Sequence, residues 1–150
     1  MKRVIIVVVV IGVVVVGGYF IWKGSDNRGA SRDAAGLEKS ARWRVEDIAK
    51  GDWKRAYDSM QLKCRAKVTY DQFKADAQAS VDRAKAAGFD ISRLRLDSAQ
   101  VTMTSSTVGE VRESRSIDGV PFGESSTSIW NYEGGRRGGS WYTLDCGIGL

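Results

Sequence analysis

Residues 69–103 read TYDQFKADAQASVDRAKAAGFDISRLRLDSAQVTM, and the period of the apolar positions changes inside this stretch. In the first half Tyr70, Phe73, Ala77, Val81 and Ala84 recur every three or four residues, as on one face of an α-helix. Thr69 supplies an N-cap hydroxyl, Gln72 completes a capping box, and Gly88 ends the helix. In the second half Leu94 and Leu96, then after a slip of one Ala99, Val101 and Met103, alternate with polar residues. That is the pattern of a half-buried strand. The slip at Asp97-Ser98 predicts a β-bulge.

Upstream the helical period continues. Leu37, Ala41, Val45, Ile48 and Ala49 form one stripe, Gly51 stops it, and Asp52 caps a restart. Trp53, Ala56, Tyr57 and Met60 then sit at i, i+3, i+4 and i+7. Downstream come strands: Val108–Ile117, Ser125–Tyr132 and Ser140–Cys146, with a turn signal at Gly119–Gly123. Three helices followed by four antiparallel strands predict an α+β domain over residues 37–150, its helices packed on one face of a curved sheet.

The chain of 150 residues carries 23 Lys+Arg, 18 Asp+Glu and no histidine. Without imidazole there is no Ser-His-Asp or Cys-His nucleophile and no histidine-based metal site. Two cysteines are too few for a thiolate zinc site or an iron–sulfur cluster. Neither a glycine-rich phosphate loop with its lysine nor a calcium loop is present. No cofactor and no metal are expected.

Val4 to Trp22 are nineteen consecutive uncharged positions, rich in valine and isoleucine. As a helix they span about 28 Å, close to the ~30 Å hydrocarbon core of a bilayer. Tyr19, Trp22 and Lys23 mark an interface at the C-terminal end, and Lys2 and Arg3 favour a cytoplasmic N-terminus. Residues 1–23 are therefore expected to be a single-pass signal anchor in the cytoplasmic membrane, held by lipid through residues 4–22. The rival is a cleaved signal peptide releasing a secreted domain, but the run is long for one and ends in bulky aromatics. Residues 24–36, small and polar, read as a flexible tether to an extracytoplasmic domain.

The segments Gly51-Asp52-Trp53…Ala56-Tyr57, Cys64, Tyr70-Asp71-Gln72-Phe73 and Trp130-Asn131-Tyr132-Glu133-Gly134…Trp141-Tyr142-Thr143-Leu144 resemble nuclear-transport-factor-2-like domains over roughly residues 37–148. That resemblance implies a cone, a sheet wrapped around a long helix with a pocket at its open end. Bacterial envelope members on one N-terminal anchor have a similar layout. This chain is shorter than they are, with a minimal front end.

Cys64 and Cys146, an even pair in a domain placed outside the cytoplasm, read as a disulfide. Tyr57, Asp97 and Trp130 are the candidate lining of a ligand pocket, with Asp97 the single candidate base; the general alternative for the aromatics is core. One carboxylate without histidine does not make a catalytic set, so no enzyme is expected. Arg136 and Arg137, between paired glycines, suit a carboxylate or phosphate, or a partner contact. From Glu38 to Lys67 nine basic residues interleave with five acidic ones, a solvated face rather than a nucleic-acid stripe. The reading that follows is a non-enzymatic, membrane-anchored binding or assembly module that contacts another envelope membrane protein. Its expected contact surface is the sheet face or the strand Val108–Ile117, and homo-oligomers are compatible with it. The alternatives are a small-molecule or lipid-binding cone pocket and the secreted domain.

Overall fold

Thr69 caps its helix as expected: the hydroxyl accepts from Gln72 N–H at 3.3 Å, and Gln72 Oε1 accepts from Thr69 N–H at 2.9 Å. The computed structural model describes residues 29–135 and 138–148. The expected anchor, with Tyr19, Trp22 and Lys23, lies outside the described residues, as do Arg136 and Arg137. No helix among the described residues is long and apolar enough to cross a membrane.

The described chain is α+β, with four helices ahead of a five-stranded antiparallel sheet. The helices are α1 (Ala34–Ala49), α2 (Trp53–Asp58), α3 (Leu62–Arg65) and α4 (Tyr70–Ala86), followed by a 3-10 turn at Ile91–Arg93. The strands are β1 (Leu94–Met103), β2 (Val108–Ile117), β3 (Val120–Pro121), β4 (Ser126–Gly135) and β5 (Gly138–Thr143). They run in the order β1-β2-β4-β5, with β3 beside the far end of β2.

Three expectations need correcting. The second helix ends at Asp58, and Met60 instead forms a parallel bridge with Thr143, its side chain fully buried. The short α3, which carries Cys64, is the extra helix. The extra strand arises because Asp118 and Gly119 both adopt positive φ, 52° and 79°, the geometry of a tight two-residue hairpin turn between Ile117 and Val120. β3 then fills the part of the β2 edge that β4 leaves open, and Pro121 fits an edge strand because it has no N–H to donate.

The tether is also shorter than expected on its described side. Asp33 caps α1, accepting from Gly36 N–H at 2.8 Å, so residues 34–36 are helical. Ala30 is buried and donates its N–H to the Gly139 carbonyl at 3.3 Å, while Trp141 Nε1 donates to the Ser31 carbonyl at 2.9 Å. Small side chains let this segment lie flat against β5. The low apolar content that suggested a tether here reflects close approach.

The bulge falls where the pattern slips. Leu96 faces Arg115 and Ser98 faces Ser114, leaving Asp97 as the extra residue. Helix α1 lies along the sheet, and Gly109 on β2 leaves room for one of its side chains: a Cβ there would come within 2.5 Å of Leu37 Cδ2. The two ends of α1 serve different apolar clusters. Leu37 and Ala41 join Val111, Trp130 and Trp141, whereas Val45 and Ile48 join Phe73, Met60, Leu94 and the α2–α4 side chains.

Candidate functional site

Between those two clusters α1 places Ser40 and Arg44, both buried on the side that faces the sheet. Arg44 sits four residues from each of two core positions, Ser40 and Ile48, so the helical period that buries Ile48 buries it too. Its guanidinium reaches three neutral oxygens: the Ala56 carbonyl at 2.6 Å, Ser59 Oγ at 2.7 Å and the Gly147 carbonyl at 2.6 Å. Burial and the neighbouring Arg115 pull the Arg44 pKa down to about 10, so it remains charged at neutral pH.

The opposing charges come from α1 itself, from β2 and from the C-terminal segment. Glu113 on β2 is 4% exposed and accepts twice from the Arg115 guanidinium, at 2.8 and 3.1 Å. Asp47, one turn along α1, is also buried. Asp145, just after β5, has a carboxyl held above the ordinary aspartate range, since desolvation outweighs the attraction of Arg44 and Arg115. The buried Arg44, Asp47 and Glu113 and the half-buried Arg115 thus share one layer between α1 and β2, with the exposed Asp145 of the C-terminal segment at its edge. Buried charges persist when they are paired and hydrogen-bonded. Chemically this layer is a lock: the oxygen partners of Arg44 belong to the chain itself and tie the C-terminal segment to the end of α2.

The candidate pocket residues are not brought together. Tyr57 belongs to the α2–α4 cluster, where its ring lies 5.6 Å from both Tyr70 and Phe73 and its hydroxyl donates to the Val68 carbonyl at 2.9 Å. Trp130 belongs to the other cluster, 1% exposed, with Nε1 donating to Ser128 Oγ at 2.8 Å. Asp97 is exposed at the bulge and accepts from Ser116 Oγ at 2.7 Å. Cys64 and Cys146 do meet, joined as a disulfide that links α3 to the residues after β5.

A cleft of about 610 Å³ lies elsewhere, between the C-terminal ends of α1 and α4. Ile48, Trp53, Val81, Phe89 and Ile91 contribute apolar surface, and Lys50, Lys85 and Asp90 charged groups. Trp53 and Val81, which fall on apolar helical stripes in the sequence, thus line a cleft. Gly51 and Gly88, the two helix stops, were the signal that both helices end beside one another, but only the tertiary fold aligns them. Among the described residues no group of three or more Asp, Glu or Cys side chains is placed to hold a metal ion. No protein-family model matches the chain, and no curated protein matches it in sequence.

Proposed function

We propose that this chain is a non-enzymatic binding or assembly module of the cytoplasmic membrane. Residues 4–22 anchor it, the N-terminus is cytoplasmic, and the nuclear-transport-factor-2-like domain stands outside, contacting another envelope protein. The observation that carries the reading is the filled interior. Trp130 and Trp141, each 1% exposed, and the buried Arg44, held by the chain's own oxygens, fill the space between the helices and the sheet. Recognition then falls to outer surfaces. The disulfide supports the extracytoplasmic placement, because such bonds persist in oxidising compartments.

The polar face of the sheet is the surface this reading favours, with Arg95, Gln100, Glu110, Arg112 and Thr127 exposed around Ile129, which is 43% exposed. The test is purification of the full chain from its native membrane in mild detergent. A stoichiometric membrane-protein companion, lost when Glu110 and Arg112 are both replaced by Ala, supports the proposal; a chain without any companion protein contradicts it.

The cleft beside Trp53 and Phe89 favours a second reading, a small-molecule or lipid site, since its volume is in the range of ligand pockets. Lipid extraction and mass spectrometry of the purified chain test it. A bound lipid lost in Trp53→Ala supports this alternative.

A further inference from the structure

The two edges of the sheet are finished differently. Along β5 the outer edge is closed by the chain itself: Ala30 N–H donates to the Gly139 carbonyl at 3.3 Å, Gln61 N–H to the Thr143 carbonyl at 3.0 Å, and Thr143 N–H to the Ser59 carbonyl at 2.9 Å. β1 forms the other edge and pairs, among the described strands, with β2 alone.

The register fixes which backbone groups β1 turns outward. Thr104 N–H donates to the Val108 carbonyl at 2.9 Å, so Thr104 faces β2. Backbone groups alternate between the two sides of an antiparallel strand. Thr102, Gln100 and Ser98 therefore also face β2, and Ala99, Val101 and Met103 direct N–H and C=O to the outer edge. The side chains of those same three residues lie on the helix side, half-buried, beside the half-buried Trp43. Among the described residues, an open hydrogen-bonding ladder and an incompletely covered apolar strip thus run along one line.

Edge strands are ordinarily blunted by charge, proline, a bulge or brevity. Here Arg95 and the bulge at Asp97 guard only the first part of a ten-residue strand. Ser98–Met103 carries neither a charge nor a proline.

We infer that β1 pairs antiparallel with β1 of a second copy of this chain, centred on Val101. In that register Ala99 of each copy meets Met103 of the other and Val101 meets its counterpart, so every outward residue of the stretch finds a partner. On the exposed face Gln100 lies opposite Thr102. The stretch suits a second copy: in this register the small Ala99 lies opposite the long Met103, β-branched Val101 meets its counterpart, and, the stretch being neutral, a two-fold axis sets no like charges opposite one another. The inference is independent of which envelope protein the module contacts.

The experiment is light scattering on the full-length chain in detergent, with the micelle mass subtracted, for the wild type and two double variants. Gln100→Glu with Thr102→Glu sets glutamate against glutamate twice across the axis and weakens association by about tenfold or more. Gln100→Glu with Thr102→Lys sets glutamate against lysine and stays dimeric. Within one copy these residues face Arg112 and Glu110, so the second variant also gains opposite charges across β1–β2. In the wild type, the Ala99, Val101 and Met103 amides exchange with solvent more slowly at high protein concentration than on dilution. A monomeric wild type, a dimer indifferent to the paired glutamates, or concentration-independent exchange at those amides each overturns the inference. The second of these results would assign dimerisation to another surface or to residues 1–28.

Discussion

Arg44, in the middle of α1, donates to the carbonyl of Gly147 at 2.6 Å, closing a contact between residues 103 positions apart. The same guanidinium holds Ala56 and Ser59, so a single side chain fastens the C-terminal segment, the end of α2 and the helix that lies along the sheet. Replacing Arg44 by Met removes every one of these donors and leaves Asp47 and Glu113 buried with less opposing charge. Loss of one member of a buried charged network costs about 3–5 kcal/mol. The urea midpoint of Arg44→Met is expected to fall accordingly, whereas Arg42→Met, a change at an exposed ion pair with Glu38, leaves it within about 0.5 kcal/mol.

Gly109 tests the closeness of α1 to the sheet. Its missing side chain makes room for Leu37 Cδ2, which a Cβ would approach to 2.5 Å, and for Met103 Sδ at 3.1 Å. Leu37 is fully buried and has little room to move. Gly109→Val is expected to destabilise by about 2 kcal/mol through overpacking, read as a lowered melting temperature. An unchanged melt would mean that α1 does not seat on β2 at this point.

The acid side of the stability profile depends on carboxylates with opposite shifts. Asp33 has a lowered pKa, from the Gly36 backbone N–H first and the Ser31 hydroxyl second. A lowered acid stabilises the fold above its ordinary value near 3.8, and that contribution disappears as pH falls through the folded value. Asp33→Ala is therefore expected to lower the melting temperature at pH 7 and to lose that effect progressively as the pH falls below the ordinary aspartate value of 3.8.

Asp145 carries the reverse sign. Its raised pKa means that the folded chain binds its proton more readily than the unfolded one, so its contribution to stability falls as pH rises through that window. Asp145→Asn is expected to flatten the pH dependence just above the ordinary aspartate range while leaving the neutral-pH melt equal or higher. A lower neutral-pH melt in Asp145→Asn would show that attraction to Arg44 and Arg115 outweighs desolvation.

Local signals in the sequence carried much of the fold. The Thr69–Gln72 box, the Gly51–Asp52 stop and restart, the slip at Asp97, and the limits of β1 and β2 all depend on chemistry within a few residues, and the structure agrees with each. What escaped depends on distant partners. Met60 continues a helical stripe in sequence, yet it leaves the helix because Thr143 offers it a bridge. Ala30 and Ser31 look like linker until the Gly139 carbonyl accepts from Ala30 N–H and the Trp141 indole donates to the Ser31 carbonyl. The site was less legible still. Tyr57 and Trp130 read as pocket residues because aromatic side chains line pockets and cores alike, and the structure assigns them to separate apolar clusters. The local sign at Arg44 was its place on the stripe, four residues before Ile48, but an arginine there ordinarily extends to solvent, and its oxygen partners lie far along the chain.

The disulfide links this architecture to the compartment in which the domain is proposed to stand. Cys64 and Cys146 close a loop with a sequence separation of 82, worth roughly 4–5 kcal/mol in the chain-entropy account. The most direct measurement is to treat intact cells making the native protein with a membrane-permeant maleimide reagent, denature the protein without reductant, and read its mass. An extracytoplasmic domain predicts no adduct before reduction and, when labelling is repeated after reduction, adducts on both cysteines. Two adducts without reduction would place free thiols in a reducing compartment and contradict the account.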